Sequence, residues 1–256
     1  MAKNTFKRKE LKYRLNKKQY ERFKSEIMPF ITPDEYCIDG KNYGIYNLYY
    51  DTGDSYLIRT SLSKPYFKEK LRLRSYQSPT KSEDNVFLEI KRKIGGIVTK
   101  RRVLITLKQA EAFLKTNEIP VNIDNVLQKQ VFREIQAFIN LYTPKPMQYI
   151  SYQREAYFAK DDKELRITFD KDIYTRRDDL SLRSENYGSN IINSEERLLE
   201  IKVSSAMPLW LVHALSNADI FKISFSKYGT AYNQYLLSNE DNEQNQFFNH
   251  KYEIKI

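Results

Sequence analysis

The sequence has very few of the residues on which several common kinds of site depend. Of its 256 residues, one is cysteine, two are histidine and seven are glycine. Cys37 has no second cysteine with which to form an intramolecular disulfide, and a zinc site of cysteine and histidine ligands lacks enough ligands. The glycines form no Walker-type or GxGxxG pattern, so the sequence excludes a glycine-rich phosphate loop at the start of a helix.

Long apolar runs are also missing. No segment approaches the roughly 20 consecutive apolar residues of a membrane-spanning helix. The first fifteen residues, MAKNTFKRKELKYRL, lack the apolar centre of a signal peptide. We therefore expect a soluble, reduced, cytoplasmic protein that does not insert into a membrane directly, while a membrane-protein partner stays open.

Positive charge and aromatic side chains are what the sequence has in excess. It contains 43 Lys and Arg against 33 Asp and Glu, a formal net charge of +10, and 14% of its residues are aromatic. The aromatic content argues against a disordered chain. The charge favours an anionic partner, such as phosphates, nucleic acid or an acidic membrane surface. Without a convincing linker, we expect one domain over 1–256, with a polar tail from 236 that ends in a strand.

Residues 70–76, KLRLRSY, show the pattern that dominates the chain. In a β-strand, alternate side chains point to the same side, so Lys70, Arg72 and Arg74 share one face. Leu71 and Leu73 share the other. Cations so close on one face repel each other, which makes an anionic ligand a natural explanation.

A hairpin is predicted over residues 86–106, with Gly95-Gly96 as its two-residue turn. This turn pairs Lys91 with Lys100 and Glu89 with Arg102, which places all four side chains on one face. Similar alternation predicts strands at residues 10–15, 42–52, 66–76, 150–159, 164–174, 197–203 and 251–256. Helical spacing, with Asn16 and Thr106 as N-caps, predicts helices near residues 16–29, 106–116, 128–142 and 207–216.

Many antiparallel strands with a few helices predict an α+β fold. An ordinary sheet with one face on the core and one in water is the simpler interpretation of any single strand. Repetition of mainly cationic faces favours a closed antiparallel β-barrel, a tunnel with a basic polar lumen and helices packed outside. The segment TRRDD (175–179) is expected to be a solvated part of a polar loop.

The order of these motifs resembles the VTC domain, a polyphosphate polymerase module of the triphosphate tunnel metalloenzyme (CYTH-like) superfamily. The resemblance covers about residues 5–235 and rests on ELKYRL, LYYDT, KLRLRSY, FLEIKRK, YQREAYF, LRITFD, LLEIKV and FSKY. It implies a tunnel that holds triphosphate or polyphosphate, with ATP as phosphoryl donor and Mn²⁺ or Mg²⁺ as cofactor.

The resemblance also implies which residues form the site. Phosphate-binding cations would be Lys12, Arg72, Arg74, Lys91, Lys100, Arg154, Arg166 and Lys227. Alternation along the strands alone adds Lys70, Lys93, Arg102 and Lys202 as supporting cations. Glu200 matches the metal-binding glutamate of the family, with Asp170 or Glu89 as further candidates. The catalytic contacts would be those of Arg72, Arg74, Arg166, Lys91 and Glu200.

One departure separates the chain from the triphosphatases of the superfamily, which begin with an E-x-E-x-K motif. The aligned residues here are Arg8, Glu10 and Lys12, so a cation replaces the first carboxylate. This disfavours simple triphosphatase chemistry. The main prediction is metal-dependent transfer of the ATP γ-phosphate to polyphosphate; the alternative is a binding module for polyphosphate or nucleotide without turnover. No nucleic-acid partner is expected, because leucines rather than exposed aromatics alternate with the cations of residues 70–74.

Overall fold

The computed structural model describes residues 9–37, 41–204 and 206–252. The strands are β1 (Lys9–Leu15), β2 (Ile31–Pro33), β3 (Tyr43–Asp51), β4 (Phe67–Ser75), β5 (Asn85–Ile94), β6 (Ile97–Thr106), β7 (Lys145–Ala159), β8 (Arg166–Arg176), β9 (Ser189–Asn190), β10 (Arg197–Val203) and β11 (Lys222–Ile223). The α-helices are α1 (Lys17–Ile27), α2 (Tyr56–Leu62), α3 (Leu107–Thr116), α4 (Val126–Tyr142), α5 (Leu209–Asn217) and α6 (Lys227–Tyr252).

Two helices begin at the caps that the sequence predicts. The Asn16 side chain accepts a hydrogen bond from the backbone N–H of Gln19 at 2.9 Å, and the Gln19 side chain accepts from the Asn16 N–H at 3.1 Å. Thr106 and Gln109 form the same reciprocal pair at the start of α3. Each pair satisfies two backbone donors that a helix start otherwise leaves open, which fixes where α1 and α3 begin.

All main strands join one antiparallel sheet. Its order is β11-β1-β10-β8-β7-β3-β4-β5-β6, with β2 added to β7 and β9 to β8. The predicted hairpin register is confirmed: Lys91 lies opposite Lys100, and Glu89 lies opposite Arg102. The register shifts between Tyr49 and Tyr50 in β3, which adds local twist to the sheet.

The α+β class and the antiparallel sheet are confirmed, but closure of a barrel by hydrogen bonds is not. Among the described strands, β6 pairs with β5 alone, and β11 pairs with β1 alone. Strand β6 carries three consecutive cations, Lys100, Arg101 and Arg102. Charged side chains of this kind discourage further pairing at a sheet edge, which is a physical reason for the open ladder.

The helices cover one face of the sheet in two groups. Helices α3 and α4 pack on β3–β6, where Leu71, Leu73 and Phe132 are fully or almost fully buried. Helices α1 and α5 pack on β1, β8 and β10 around Phe23 and Leu199. Both groups use the apolar residues of the alternating pattern, so the charged residues of the same strands point to the opposite face.

The start of α6 lies on that opposite face. Tyr228, Ala231 and Tyr232 of α6 are buried in a third apolar cluster with Ile45 and Tyr49 of β3. Ile45 and Tyr49 point to the same face of the sheet as the charged side chains, and there they contact the start of α6. Cations and carboxylates occupy much of the rest of it. We call this surface the inner face.

Two further sequence predictions differ from the structure. The polar tail belongs to α6, which includes residues 251 and 252 of the predicted terminal strand; residues 253–256 lie outside the described part. Arg176 of the segment TRRDD is buried rather than solvated, because its guanidinium lies 3.6 Å from the centre of the Tyr149 ring and donates to the carbonyl of Tyr187 at 3.0 Å. No described helix has both the length and the apolar character needed to span a membrane.

Candidate functional site

Strands that do not pair with each other meet electrostatically across the inner face. The positive charge of Lys91 in β5 lowers the pKa of Glu10 in β1, although these two strands do not pair. The same charge also lowers the pKa of Lys202 in β10. Repulsion from Lys12 in β1 likewise lowers the pKa of Lys70 in β4. The Lys227 ammonium of α6 contacts Glu200 of β10, and the Lys70 ammonium of β4 lies 5.6 Å from the centre of the Tyr228 ring next to it, so charge from β1, β4, β5 and β10 is concentrated in one space.

One ion-pair cluster is built on two buried carboxylates, Asp170 and Glu200. Arg154 grips Asp170 with two hydrogen bonds, at 2.6 and 2.8 Å. The Lys227 ammonium lies 2.6 Å from Asp170 and 3.0 Å from Glu200, and Lys12 lies 3.5 Å from Glu200. Burial opposes the charge of Glu200, but the three cations outweigh it and hold its pKa well below the usual value.

A second cluster surrounds Glu89. Its carboxylate lies 2.5 Å from Arg72 and 2.6 Å from Lys100, while Arg102 is 3.9 Å away. Burial alone would raise the pKa of Glu89. The positive charges of Arg72, Arg74 and Lys100 outweigh this effect and lower the pKa, so the carboxylate stays charged. The structure thus brings Asp170 together with Glu200 and places Glu89 in a different cluster from these two.

Two of the predicted phosphate-binding arginines, Arg74 and Arg166, have few charged partners. Arg74 is buried, and it donates to the Asn47 side chain at 2.9 Å and to the Tyr152 hydroxyl at 3.2 Å. Since neither partner is charged, the Arg74 charge remains available to an anion. Arg166 pairs with Asp34 at 2.9 Å.

Four predicted lysines form no ion pair with a carboxylate of the described chain: Lys70, Lys91, Lys93 and Lys202. Burial, together with repulsion from Lys68 and Lys91, lowers the pKa of Lys70 to about 7. Burial likewise lowers the pKa of Lys202 to about 8, against the opposing pull of Glu200 and Glu10. A bound anion would relieve this cost, so the inner face is built for negative charge.

Glu10 is a functional candidate that the sequence reasoning did not select. Its carboxylate lies 3.2 Å from the Lys12 ammonium, which also contacts Glu200, so the two carboxylates share one cation. The signal was available, because Glu10 precedes Lys12 by two residues in β1. Arg8, the third residue of that motif, lies outside the described residues.

These residues fit a divalent ion that takes most of its ligands from phosphates and water better than one bound entirely by protein side chains. Within the described chain, no three His, Cys, Asp or Glu side chains are grouped as a metal site. Mg²⁺ commonly takes only one or two carboxylates and completes its shell with phosphate oxygens and water. Glu200 and Glu10 supply that number. Asp170 fits less well, because Arg154 and Lys227 hold its oxygens at 2.6 to 2.8 Å, whereas the cations around Glu200 lie at 3.0 to 3.5 Å.

Comparisons with known proteins agree with this geometry. A family model described as the VTC domain matches residues 7–236. The fold is similar to that of a putative adenylate cyclase from Bacillus halodurans, with 14% identity, a TM-score of 0.50, and coverage of 88% of this chain and 96% of that one. It is also similar to a putative adenylyl cyclase from Hippeastrum that has a dominant triphosphatase activity, with 15% identity, a TM-score of 0.51, and coverage of 88% and 95%. A search of curated proteins found no significant match.

Proposed function

Because the chain belongs to the VTC domain family, we propose that its inner face binds ATP and polyphosphate and transfers the ATP γ-phosphate to the polyphosphate chain. The observation that carries this proposal is the surplus of cations on that face. Arg74, Lys70 and Lys202 lack a carboxylate partner among the described residues, although all three are buried or half-buried. A polyanion would supply the missing charge.

Phosphoryl transfer asks little covalent chemistry of the protein. It depends on holding donor and acceptor in line and on neutralising the charge of the transferred group. Arg72, Arg74 and Arg166 would grip phosphate oxygens, since guanidinium groups match them with two parallel hydrogen bonds. The lysines Lys12, Lys91, Lys93, Lys100 and Lys227 would balance charge along the chain. No general base is needed, because the terminal phosphate that attacks is already ionised near neutral pH.

Proteins of this family generally depend on a divalent metal ion, and Mn²⁺ or Mg²⁺ is proposed here. Glu200 and Glu10 would hold it, and Glu89 is left to the cluster with Arg72. When bound, the ion would neutralise part of the negative charge of the phosphates. The Lys12 ammonium contacts both carboxylates and would offset their mutual repulsion before the metal and phosphates bind.

The decisive experiment is incubation of the purified protein with ATP and either Mn²⁺ or Mg²⁺, followed by gel analysis for long polyphosphate. We expect a ladder of product from the unchanged protein and none from Arg74→Ala. Arg14→Ala is a matched control, since Arg14 pairs with Glu196 and is exposed. No product with either metal, from protein whose circular dichroism shows an intact fold, would contradict the transferase proposal.

Binding without turnover is the second candidate function. It is favoured by the cations Lys70 and Lys202 of the inner face, unpaired among the described residues, which would attract a polyanion whether or not a phosphoryl group is transferred. Tripolyphosphate that binds equally well with and without Mg²⁺, combined with no product from ATP, would favour this candidate over the transferase.

A further inference from the structure

Four aromatic rings form a continuous row at one end of the inner face. Tyr36 lies 5.8 Å from Tyr43, Tyr43 lies 6.0 Å from Tyr76, and Tyr76 lies 6.1 Å from Phe87, measured between ring centres. We call these four residues the aromatic row. It crosses from the segment after β2, over the start of β3, to the end of β4 and the start of β5. It therefore lies at the opposite end of β3 from Asp51.

Burial separates this row from the apolar clusters of the protein. Tyr36 is 66% exposed and Tyr76 is 42% exposed, while Tyr43 and Phe87 are half-buried. None of the four belongs to the core of the clusters that the helices cover, although Tyr43 touches the edge of one. Exposed apolar ring surfaces that adjoin one another are typical of a surface that binds a ligand.

The aromatic row adjoins the cations that would bind phosphate. Tyr43 lies directly opposite Arg154 in the sheet, and its hydroxyl is 3.4 Å from Arg166. Phe87 lies opposite Arg74, and the Arg102 guanidinium is 4.2 Å from the centre of the Phe87 ring. The row is thus continuous with the basic part of the inner face, with arginines beside Tyr43 and beside Phe87.

We propose that the aromatic row is a nucleobase-binding subsite, in which the base of a nucleoside triphosphate stacks on Tyr76 or Tyr36 while its phosphates contact Arg74, Arg154 and Arg166. This inference rests on the proposed function and adds a stated ligand part to it. A base offers a flat ring to stack on exposed tyrosine, and its triphosphate offers the charge that the adjacent arginines match. Bare polyphosphate has no group that uses the rings.

The test compares ATP with ribose 5-triphosphate, which has the same phosphates and sugar but no base. Binding of each to the unchanged protein, Tyr76→Leu and Tyr36→Leu is measured by isothermal titration calorimetry without metal. We expect the unchanged protein to bind ATP about tenfold more tightly than ribose 5-triphosphate, because base stacking on one ring contributes on that scale. Replacing the tyrosine on which the base stacks reduces this preference and leaves the ribose 5-triphosphate affinity unchanged, so we expect the loss in at least one of the two leucine variants.

Tyr66→Leu is the matched control, because Tyr66 is an exposed tyrosine at the other end of β4. Its ATP preference should equal that of the unchanged protein. Equal affinity of the unchanged protein for both ligands would overturn the subsite and leave the phosphate site intact. Equal weakening of both ligands in Tyr76→Leu and Tyr36→Leu would also overturn it, by revealing a role in folding. Failure of both ligands to bind the unchanged protein would overturn the proposed function and the subsite with it.

Discussion

Glu200 is the residue at which the inner face is most tightly organised. Lys227 and Lys12 contact one of its carboxylate oxygens, and Arg154 contacts the other at 3.5 Å. A buried carboxylate paired in this way stays charged, whereas an unpaired one would take up a proton. Glu200 therefore has two duties under the proposed function: it holds three cations in place before the substrate arrives, and it binds the metal afterwards.

Replacing Glu200 with glutamine separates these duties. Glu200→Gln keeps the size of the side chain but removes its charge, so we expect ATP turnover to fall by at least about 100-fold through loss of the metal ligand. Metal-free affinity for tripolyphosphate should be unchanged or higher, because three cations lose a competing carboxylate. Turnover assays and calorimetry measure the two effects. Glu195→Gln, at an exposed glutamate of the same region, is the control; unchanged turnover in Glu200→Gln would exclude the metal role.

Lys70 predicts how phosphate binding depends on pH. Its pKa of about 7 in the free protein means that it loses its charge as the pH rises through neutrality. A bound anion raises that pKa, so tripolyphosphate affinity should be highest below pH 7 and should fall as the pH increases, by at most about tenfold per pH unit from this one group. Lys70→Arg keeps its charge throughout and should show a shallower fall. Parallel pH profiles for the two proteins would contradict this assignment.

At the scale of elements, the first turn of α6 joins two parts of the sheet. Lys227 reaches Asp170 and Glu200, on β8 and β10, while the Tyr228 hydroxyl donates to Asp51 at 2.8 Å at the end of β3. Asp51 also accepts hydrogen bonds from the backbone N–H groups of Leu57 and Ile58 at the start of α2. One carboxylate therefore connects β3, α2 and α6.

Tyr228→Phe should destabilise the protein through this connection. The change leaves the buried ring in place, stacked on Tyr49, but removes a hydrogen bond to a charged acceptor, which costs about 1.5–3 kcal/mol of unfolding free energy. Urea denaturation measures the loss. Tyr232→Phe is the matched control, since Tyr232 is buried in the same cluster and its hydroxyl has no hydrogen bond to the described chain. Equal losses in the two variants would show that the Asp51 contact contributes nothing.

Local patterns predicted most of the elements and both of their faces. Alternation placed Leu71 and Leu73 on the core side and Arg72 and Arg74 on the other, because strand geometry alone decides this. The start of α6 was missed, although Tyr228, Ala231 and Tyr232 have helical spacing. These residues are buried against strands that are far away in the sequence. The helical spacing extends over only a few residues before the polar segment SNEDNEQNQ begins, so it was not recognised as a helix.

The residues missed at the site share the same cause. Asn47, Tyr152 and Tyr49 each hydrogen-bond a predicted arginine, but their sequence context is that of an ordinary apolar strand. Their role depends on which strands become neighbours. Whether a sheet closes likewise depends on how its two end strands lie relative to each other, and no local pattern contains that information.

At the scale of the whole molecule, the net charge of +10 predicts how the protein responds to anions. A ligand that binds only the folded state stabilises it, by about 2.7 kcal/mol at 100 times its dissociation constant. For a chain of this length, that corresponds to a rise in Tm of roughly 5–10 °C. Tripolyphosphate should produce this shift in a thermal melt. Sodium chloride at equal ionic strength is the control, and an equal shift with both would indicate general screening rather than a site.

The pairing of β1 with β10 sets a condition on how the chain is made. Lys12 lies opposite Glu200, so the first described strand finds its main neighbour almost two hundred residues later. During synthesis, the apolar residues Tyr13 and Leu15 stay unpaired until β10 has left the ribosome. Contacts between residues so far apart in sequence also form slowly. A nascent chain stalled before β10 would therefore expose this strand, and it is at that stage that chaperones would have the most surface to protect.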